Sequence, residues 1–207
     1  MLLADRLAQL DLADPLVLAL PRGGVPVGAQ IAKHLAAPLD VALVRKLGSP
    51  HEPELAIGAV AEGDEPEIVL NDALVQELGL SQEFISSQAA RELAAIEQRR
   101  QDYAGARPAV HSSGRTVIVV DDGVATGMTM QAALRSVRRR NPVRLIAATP
   151  VASREAAVLL GRDCDEVVCL SAPRRFGSVG SFYRSFAQVS DEDVARLLKE
   201  AAEHALR

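Results

Sequence analysis

Short apolar runs alternate with helix-like segments along most of this chain of 207 residues. Five of these runs, at residues 16–20, 39–44, 116–120, 144–151 and 166–170, contain few charged residues. Continuous apolar runs of this length are typical of parallel strands, because such strands are covered on both faces. Strands that are joined through helices form right-handed crossovers. The pattern therefore predicts an α/β fold, with an open, mostly parallel, twisted sheet and helices on both faces.

The segments between these runs predict the remaining elements. Apolar residues recur every three or four positions in most of them, which is the spacing of an amphipathic helix. Helices are expected at residues 25–36, 72–79, 82–104, 128–140, 153–161 and 191–206, with Ser190 as N-cap of the last. Two extended segments, 56–63 and 67–70, are separated by a Gly-Asp turn and predict a β-hairpin. Residues 1–207 are interpreted as one domain, because no linker or repeat interrupts them.

The charge balance of the chain bears on its partners. The net charge is −4 at pH 7, whereas a nucleic-acid interface needs excess positive charge, so no nucleic-acid partner is expected. The run Arg138–Arg140 could form a local basic patch, but cations are also favourable at a helix C-terminus, which is the preferred interpretation. No stretch approaches the ~20 apolar residues that span a bilayer. We expect no membrane association and a cytoplasmic protein.

The segment TVIVVDDGVATGMTM, residues 116–130, joins a strand, two adjacent carboxylates and a flexible loop. In an open α/β sheet, ligands bind beyond the carboxyl ends of the strands, where Asp121 and Asp122 are expected to lie. The loop then enters a helix, whose first N–H groups and dipole favour an anion. Carboxylates accept hydrogen bonds from sugar hydroxyls and help to hold a divalent cation, so a phosphorylated sugar would satisfy both ends. The loop residues are Gly123, Val124, Ala125, Thr126, Gly127, Met128 and Thr129.

Two other kinds of nucleotide loop do not match this chain. A Walker A loop requires Gly-Lys-Ser or Gly-Lys-Thr, and neither tripeptide occurs. A dinucleotide fingerprint requires three glycines at fixed spacing. The run GGVPVG supplies Gly23 and Gly28 at the outer positions but Val25 at the middle one.

Two further segments bring cationic residues to the same edge of the predicted sheet. The segment LALPRGGVPVGAQIA, residues 18–32, also runs from strand through a glycine turn to a helix. Gly23 and Gly24 would let the backbone approach a ligand closely, and Arg22 could neutralise a diphosphate. Arg45 and Lys46 follow the predicted second strand, so we expect them at the carboxyl edge as well.

The run VIVVDDGVATGMT resembles the phosphoribosyl pyrophosphate (PRPP) motif of the type I phosphoribosyltransferases. This resemblance implies that Asp121 and Asp122 bind the ribose hydroxyls and that residues 125–129 cradle the 5′-phosphate. The segment 18–32 is similar to the pyrophosphate loop of the same enzymes. Arg45 and Lys46 are similar to an Arg-Lys pair of orotate and adenine phosphoribosyltransferases. Over nearly its full length, the chain looks most similar to a bacterial group of predicted, uncharacterised phosphoribosyltransferases.

The resemblance also implies a reaction, in which ribose 5-phosphate passes from PRPP to a nitrogenous acceptor and pyrophosphate leaves. Mg²⁺ would be the cofactor, held by Asp121 and Asp122 together with PRPP and water, while Arg22 and Lys46 share the diphosphate. These four residues are the candidate catalytic residues. A small hood over the sheet edge recognises the acceptor in this family, and residues 171–189 are the candidate, with Phe176 or Tyr183 stacking on a nucleobase. A homodimer is possible.

Two alternatives to this enzyme remain open. A PRPP-binding regulatory protein with little or no catalytic activity would use the same loops. Regulators of this kind usually need a basic face or an added winged-helix domain, and neither is visible in the sequence. A sugar-phosphate diphosphokinase would need an ATP site, for which we find no motif.

Overall fold

The computed structural model describes residues 2–53, 55–63, 65–104 and 110–205. Its central sheet has five parallel strands in the order β2-β1-β6-β7-β8. The parallel α/β architecture expected from the sequence is therefore confirmed. The strands of this sheet are β1 (Pro15–Ala19), β2 (Leu39–Val41), β6 (Thr116–Val120), β7 (Arg144–Val151) and β8 (Glu166–Ser171).

Helices cover both faces of the central sheet, as predicted. Helices α1, α2 and α7 pack on one face and α5 and α6 on the other, each face burying its own apolar cluster. Helices α3 and α4 lie beside a second sheet. The helices are α1 (Leu2–Leu7), α2 (Gly24–His34), α3 (Asp72–Glu77), α4 (Gln82–Ala104), α5 (Met128–Arg138), α6 (Arg154–Leu160) and α7 (Asp191–Ala205). Six of them lie where the sequence predicts helices, and α1 was not predicted.

The second sheet is antiparallel and has three strands, β3 (Val44–Gly48), β4 (Ala56–Ala61) and β5 (Glu67–Leu70), in that order. It is held between α4 and α5. The predicted hairpin of residues 56–63 and 67–70 is confirmed as β4 and β5, although Asp64 of its turn lies outside the described residues.

The prediction of one strand over residues 39–44 is wrong. Strand β2 ends at Val41, and the chain then crosses to the second sheet, where β3 begins at Val44. Ala42 and Leu43 make the crossing while buried, and the Leu43 amide donates to a carboxylate oxygen of Glu62 over 3.0 Å. Because the crossing residues are as apolar as the strands, the run of hydrophobic residues hides the change of sheet.

The strand order places a switch point between β1 and β6. The chain passes from β1 to β2 on one side of β1, and it later returns as β6 on the other side. Ala19 pairs with Val120 at the carboxyl ends of the two strands, so the loops that follow them leave the sheet side by side. Open α/β sheets bind their ligands in the crevice at such a point.

The remaining described chain connects these elements. After the last residue of β8, Ser171, the segment up to residue 189 contains only a short 3-10 turn, Val179–Phe182. Helix α7 begins with a capping box, in which the Asp193 amide donates to Ser190 Oγ over 3.1 Å and the Ser190 amide donates back to the Asp193 carboxylate over 3.2 Å. The predicted N-cap is thus confirmed. None of the described helices combines the length and the apolar character that a bilayer-crossing segment requires.

Candidate active site at the β1–β6 switch point

The loops after β1 and β6 are in contact at the switch point. A Cβ atom built on Gly23 would lie 1.8 Å from Oδ2 of Asp122, so a larger residue at position 23 would force the Asp122 carboxylate out of its position. The peptide bond between Pro21 and Arg22 is cis. The structure therefore brings together the glycine turn of the first loop and the twin carboxylates of the second, as the sequence analysis expected.

The loop after β6 is shaped for a ligand that accepts hydrogen bonds. Ser153, at the start of α6, donates from its amide to the Val124 carbonyl over 2.9 Å and from Oγ to the Ala125 carbonyl over 2.7 Å. With these carbonyls held on one side, the exposed residues Ala125 and Thr126 face solvent. Within the described part of the chain, the amides of residues 125–127 donate to no backbone carbonyl. They remain available to an anion.

Helix α5 begins at the end of this loop. Gly127 has a φ of 89°, a left-handed conformation that glycine adopts without steric cost, and this turns the chain into the helix. No side chain of the described residues caps α5 at Gly127, so the first N–H groups of Met128 and Thr129 add positive potential to the loop.

Asp121 and Asp122 are partly buried and close to each other. The Asp122 amide donates to Oδ1 of Asp121 over 2.9 Å. Burial raises the pKa of Asp121 well above its usual range, and the charge of Asp122 raises it further. Burial also raises the pKa of Asp122. Two carboxylates in this setting are partly shielded from water and repel each other, so a bound cation would reduce their repulsion.

The donor set suits Mg²⁺ only in part. Mg²⁺ binds through one or two carboxylates and takes its other oxygens from water and substrate phosphates. Across the described ranges, no three His, Cys, Asp or Glu side chains converge as a metal site. Asp121 and Asp122 thus fit a magnesium ion that arrives with a phosphorylated ligand, rather than one caged by protein.

Arg45 and Lys46 lie within β3, not in a loop after the second strand, and that expectation is corrected. Neighbouring residues of a strand point to opposite faces. The Lys46 side chain is exposed and close enough to Asp121 for its charge to oppose the rise of that pKa. The Arg45 side chain faces α4, where its Nε donates to Glu92 over 2.9 Å. The structure brings the charge of Lys46 near Asp121, whereas Arg45 is directed to α4.

The segment 171–189 lies against the loop after β6. The Tyr183 hydroxyl donates to the backbone carbonyl of Asp122 over 2.6 Å, and Val179 packs on Gly123. Burial and the charges of Asp122 and Asp121 raise the pKa of Tyr183 to about 12. Of the two predicted acceptor residues, Tyr183 is therefore at the site. Phe176 packs on Phe182 with ring centroids 5.4 Å apart.

Several residues that shape the site were not identified from the sequence. Ser153 holds the loop carbonyls, Val179 covers Gly123, and Asp191 binds the Arg22 side chain with an N···O distance of 3.7 Å. Ser153 carried a usable signal, because it is an N-cap residue directly after a strand. Val179 and Asp191 are distant in sequence from the residues they contact, so no local pattern identifies them.

The tight contact at position 23 predicts that Gly23→Ala destabilises the protein by about 1–3 kcal/mol, because the added methyl group must displace Asp122 or the loop. Urea unfolding measures the change. Gly161→Ala is the control, since a Cβ there meets only ordinary contacts at 3.5 Å or more and φ is −61°, and we expect it to change stability by about 0.5 kcal/mol or less. Equal effects of the two substitutions would contradict the close approach of the loops.

The raised pKa of Asp121 predicts that Asp121→Asn stabilises the ligand-free protein. The ionised carboxylate destabilises the folded state fully above its raised pKa, and this penalty disappears as pH falls towards the ordinary value of an aspartate. Asparagine keeps the Oδ1 acceptor, so we expect a gain of about 1–3 kcal/mol at pH 7 and little difference near pH 4. Urea unfolding at both pH values checks this, with Glu77→Gln as a surface control. A loss of stability at pH 7 would refute it.

Comparisons with known proteins identify the family. Residues 1–182 match the family described as phosphoribosyl transferase domain. Two curated proteins of Mycobacterium tuberculosis strains, each named "Putative phosphoribosyl transferase", are 41% identical over 199 residues, 96% of this chain and 44% of theirs, so the chain spans less than half their length. The crystal structure of the protein TT1426 from Thermus thermophilus is 46% identical, with a TM-score of 0.81 over 96% of this chain and 93% of that one. The resemblance seen in the sequence is confirmed, and this chain belongs to the phosphoribosyl transferase domain family.

Proposed function

We propose that this protein transfers ribose 5-phosphate from PRPP to a nitrogenous acceptor, with release of pyrophosphate. The observation that carries the proposal is the contact of the two loops at the switch point. Gly23 lies against Asp122, so a loop suited to a diphosphate and a loop suited to a phosphorylated sugar border the same crevice. PRPP carries both groups on one ribose.

Each part of PRPP has a matching group in the crevice. The 5′-phosphate would accept hydrogen bonds from the amides of residues 125–129 and from the hydroxyls of Thr126 and Thr129, helped by the dipole of α5. The ribose hydroxyls would donate to Asp121 and Asp122. The diphosphate would lie between the glycine turn of residues 23–24 and the ammonium group of Lys46.

The carboxylates Asp121 and Asp122 would hold Mg²⁺ together with PRPP and water. When bound, the ion would neutralise part of the charge of the diphosphate leaving group. The protein's own contribution is the pair of raised carboxyl pKa values, which favour a cationic ligand over two bare charges. Magnesium dependence is thus a proposal that rests on the donor set.

Catalysis would come from positioning and charge. As the bond between ribose C1 and the diphosphate lengthens, positive charge develops on the ribose and negative charge on the leaving group. In this binding mode Asp121 and Asp122 would lie beside the ribose, and Lys46 would face the leaving group. Fixed charges of this kind stabilise a transition state without reorganising during the reaction.

The acceptor would bind beneath the segment 171–189, which we propose as the hood. Four of the six aromatic residues of the chain lie between residues 176 and 186. They form two tilted pairs, Phe176 with Phe182 and Tyr183 with Phe186. Tyr183 also reaches the Asp122 carbonyl, so an acceptor stacked on this ring would be close to the ribose. A planar nucleobase is the acceptor that an aromatic hood suits best.

The proposed binding mode predicts that Asp121→Asn and Asp122→Asn each weaken magnesium-PRPP binding by about tenfold or more, because each removes a charge-assisted contact. Isothermal titration calorimetry measures the affinities, with Glu77→Gln as an exposed control that should bind like the wild type. Unchanged affinity in both aspartate variants would rule out this binding mode.

The hood proposal predicts that substitutions in the hood change KM for the acceptor more than KM for PRPP. Phe176→Ala and Tyr183→Ala should raise KM for the acceptor by about three- to tenfold, the loss expected for one aromatic contact, and change KM for PRPP less. The acceptor is first found by screening nucleobases for pyrophosphate release. Val158→Ala, on the exposed face of α6, is the control. A rise only in KM for PRPP would contradict an acceptor-binding hood.

The same screen separates the enzyme from the alternative of a PRPP-binding regulator. Tight binding of PRPP with no pyrophosphate release from any nucleobase would favour the regulator. No binding of PRPP would reject both.

A further inference from the structure

Three groups converge on the carboxylate of Asp191, the first residue of α7. Arg22 from the loop after β1 lies 3.7 Å from Oδ2, and Arg99 from α4 lies 3.7 Å from Oδ1. The Tyr103 hydroxyl, also from α4, donates to the same Oδ1. Tyr103 is only 4% exposed, so one partner of this carboxylate is rigidly packed. This cluster of Arg22, Arg99, Tyr103 and Asp191 joins the glycine loop to two helices.

Asp191 is not needed to cap α7. The N-cap function belongs to Ser190, whose hydroxyl accepts from the Asp193 amide, and to Asp193, whose carboxylate accepts from the Ser190 amide and hydroxyl. Asp191 has no part in this exchange. Its side chain points instead to the two arginines and the tyrosine, and its contacts therefore call for another explanation.

The arrangement changes the interpretation of Arg22. From the sequence, the Arg22 guanidinium was expected to neutralise the diphosphate. In the structure the guanidinium lies against Asp191 and near Tyr103, whereas the next residue, Gly23, lies against Asp122. The Arg22 side chain and the Gly23 backbone thus contact different parts of the fold. The guanidinium is directed to α4 and α7, and the glycine backbone borders the crevice.

We propose that Asp191 is a positioning residue, which tethers the diphosphate loop through Arg22 so that the Gly23 amide faces the ligand while the Gly24 amide donates to the Leu20 carbonyl over 3.0 Å. This inference rests on the proposed function. Arg22 then acts as an anchor of the loop and not as a ligand of the diphosphate. Exposed ion pairs are weak one by one, but here Tyr103 fixes the carboxylate by a charge-assisted hydrogen bond and Arg99 adds a second cation.

The two roles of Arg22, as an anchor of the loop or as a direct ligand of the diphosphate, predict different effects of Asp191→Asn. If Arg22 binds diphosphate directly, Asp191 competes for it, and Asp191→Asn should tighten binding. If Asp191 positions the loop, Asp191→Asn and Arg22→Gln break the same link. Each should then weaken magnesium pyrophosphate binding by about tenfold, and the double variant should be no weaker than the weaker single one.

Calorimetry with magnesium pyrophosphate and, separately, ribose 5-phosphate tests this. Ribose 5-phosphate should bind every variant within about twofold of the wild type, because residues 121–129 are untouched. Glu192→Gln, in the same turn of α7 and exposed, is the matched control. Arg22→Gln serves as the second probe if Asp191→Asn unfolds, because Arg22 lies in a loop with a side chain 35% exposed.

A second readout needs no ligand. The amides of Gly24 and Val25 donate to the carbonyls of Leu20 and Arg22. Their hydrogen exchange should be faster in Asp191→Asn and Arg22→Gln than in the wild type, and unchanged in Glu192→Gln. Unchanged exchange, pyrophosphate binding that is unchanged or tighter in Asp191→Asn, or losses that multiply in the double variant would each overturn the tether. Failure of the wild type to bind either ligand would instead reject the proposed function, while exchange would still decide whether the loop is tethered.

Discussion

The approach of Gly23 to Asp122 is the contact on which the site depends. It requires β1 and β6 to be neighbours in register, so that their loops leave the sheet together, and it requires a residue without a Cβ in the first loop. The two layers of helices hold this register by burying the strands on both faces. A small shift between β1 and β6 would separate the glycine turn from the carboxylates. The two loops would then no longer border one crevice.

The two neighbouring carboxylates of the site have an electrostatic cost. Asp121 and Asp122 lie side by side with raised pKa values, which a fold selected only for stability would avoid. The Asp122 amide and the charge of Lys46 oppose the rise of the Asp121 pKa without cancelling it. Uncompensated charge of this kind is common at functional sites, where a bound ligand supplies the opposite charge. The arrangement thus links the stability of the empty protein to the chemistry proposed for the bound one.

Much of the fold followed from the sequence, because the period of apolar residues reports local structure directly. The strand TVIVV, the hairpin and the long helix α4 were all predicted near their observed bounds. The twin aspartates and both glycine loops were also found at one edge. What the sequence did not reveal depends on distant contacts. The crossing at Ala42 and Leu43 continues an apolar run, Arg45 turns to Glu92, and Arg22 turns to Asp191, which is far along the chain. Charge and spacing identified these arginines, but not the direction in which each side chain points.

The most direct test of the account is a crystal structure of this chain grown with magnesium and PRPP. The account predicts the 5′-phosphate within hydrogen-bonding distance of the amides of residues 125–129, the ribose hydroxyls on Asp121 and Asp122, and the diphosphate beside Gly23 and Gly24. Ordered PRPP bound elsewhere, or an empty crevice at a saturating concentration of the ligand, would contradict it.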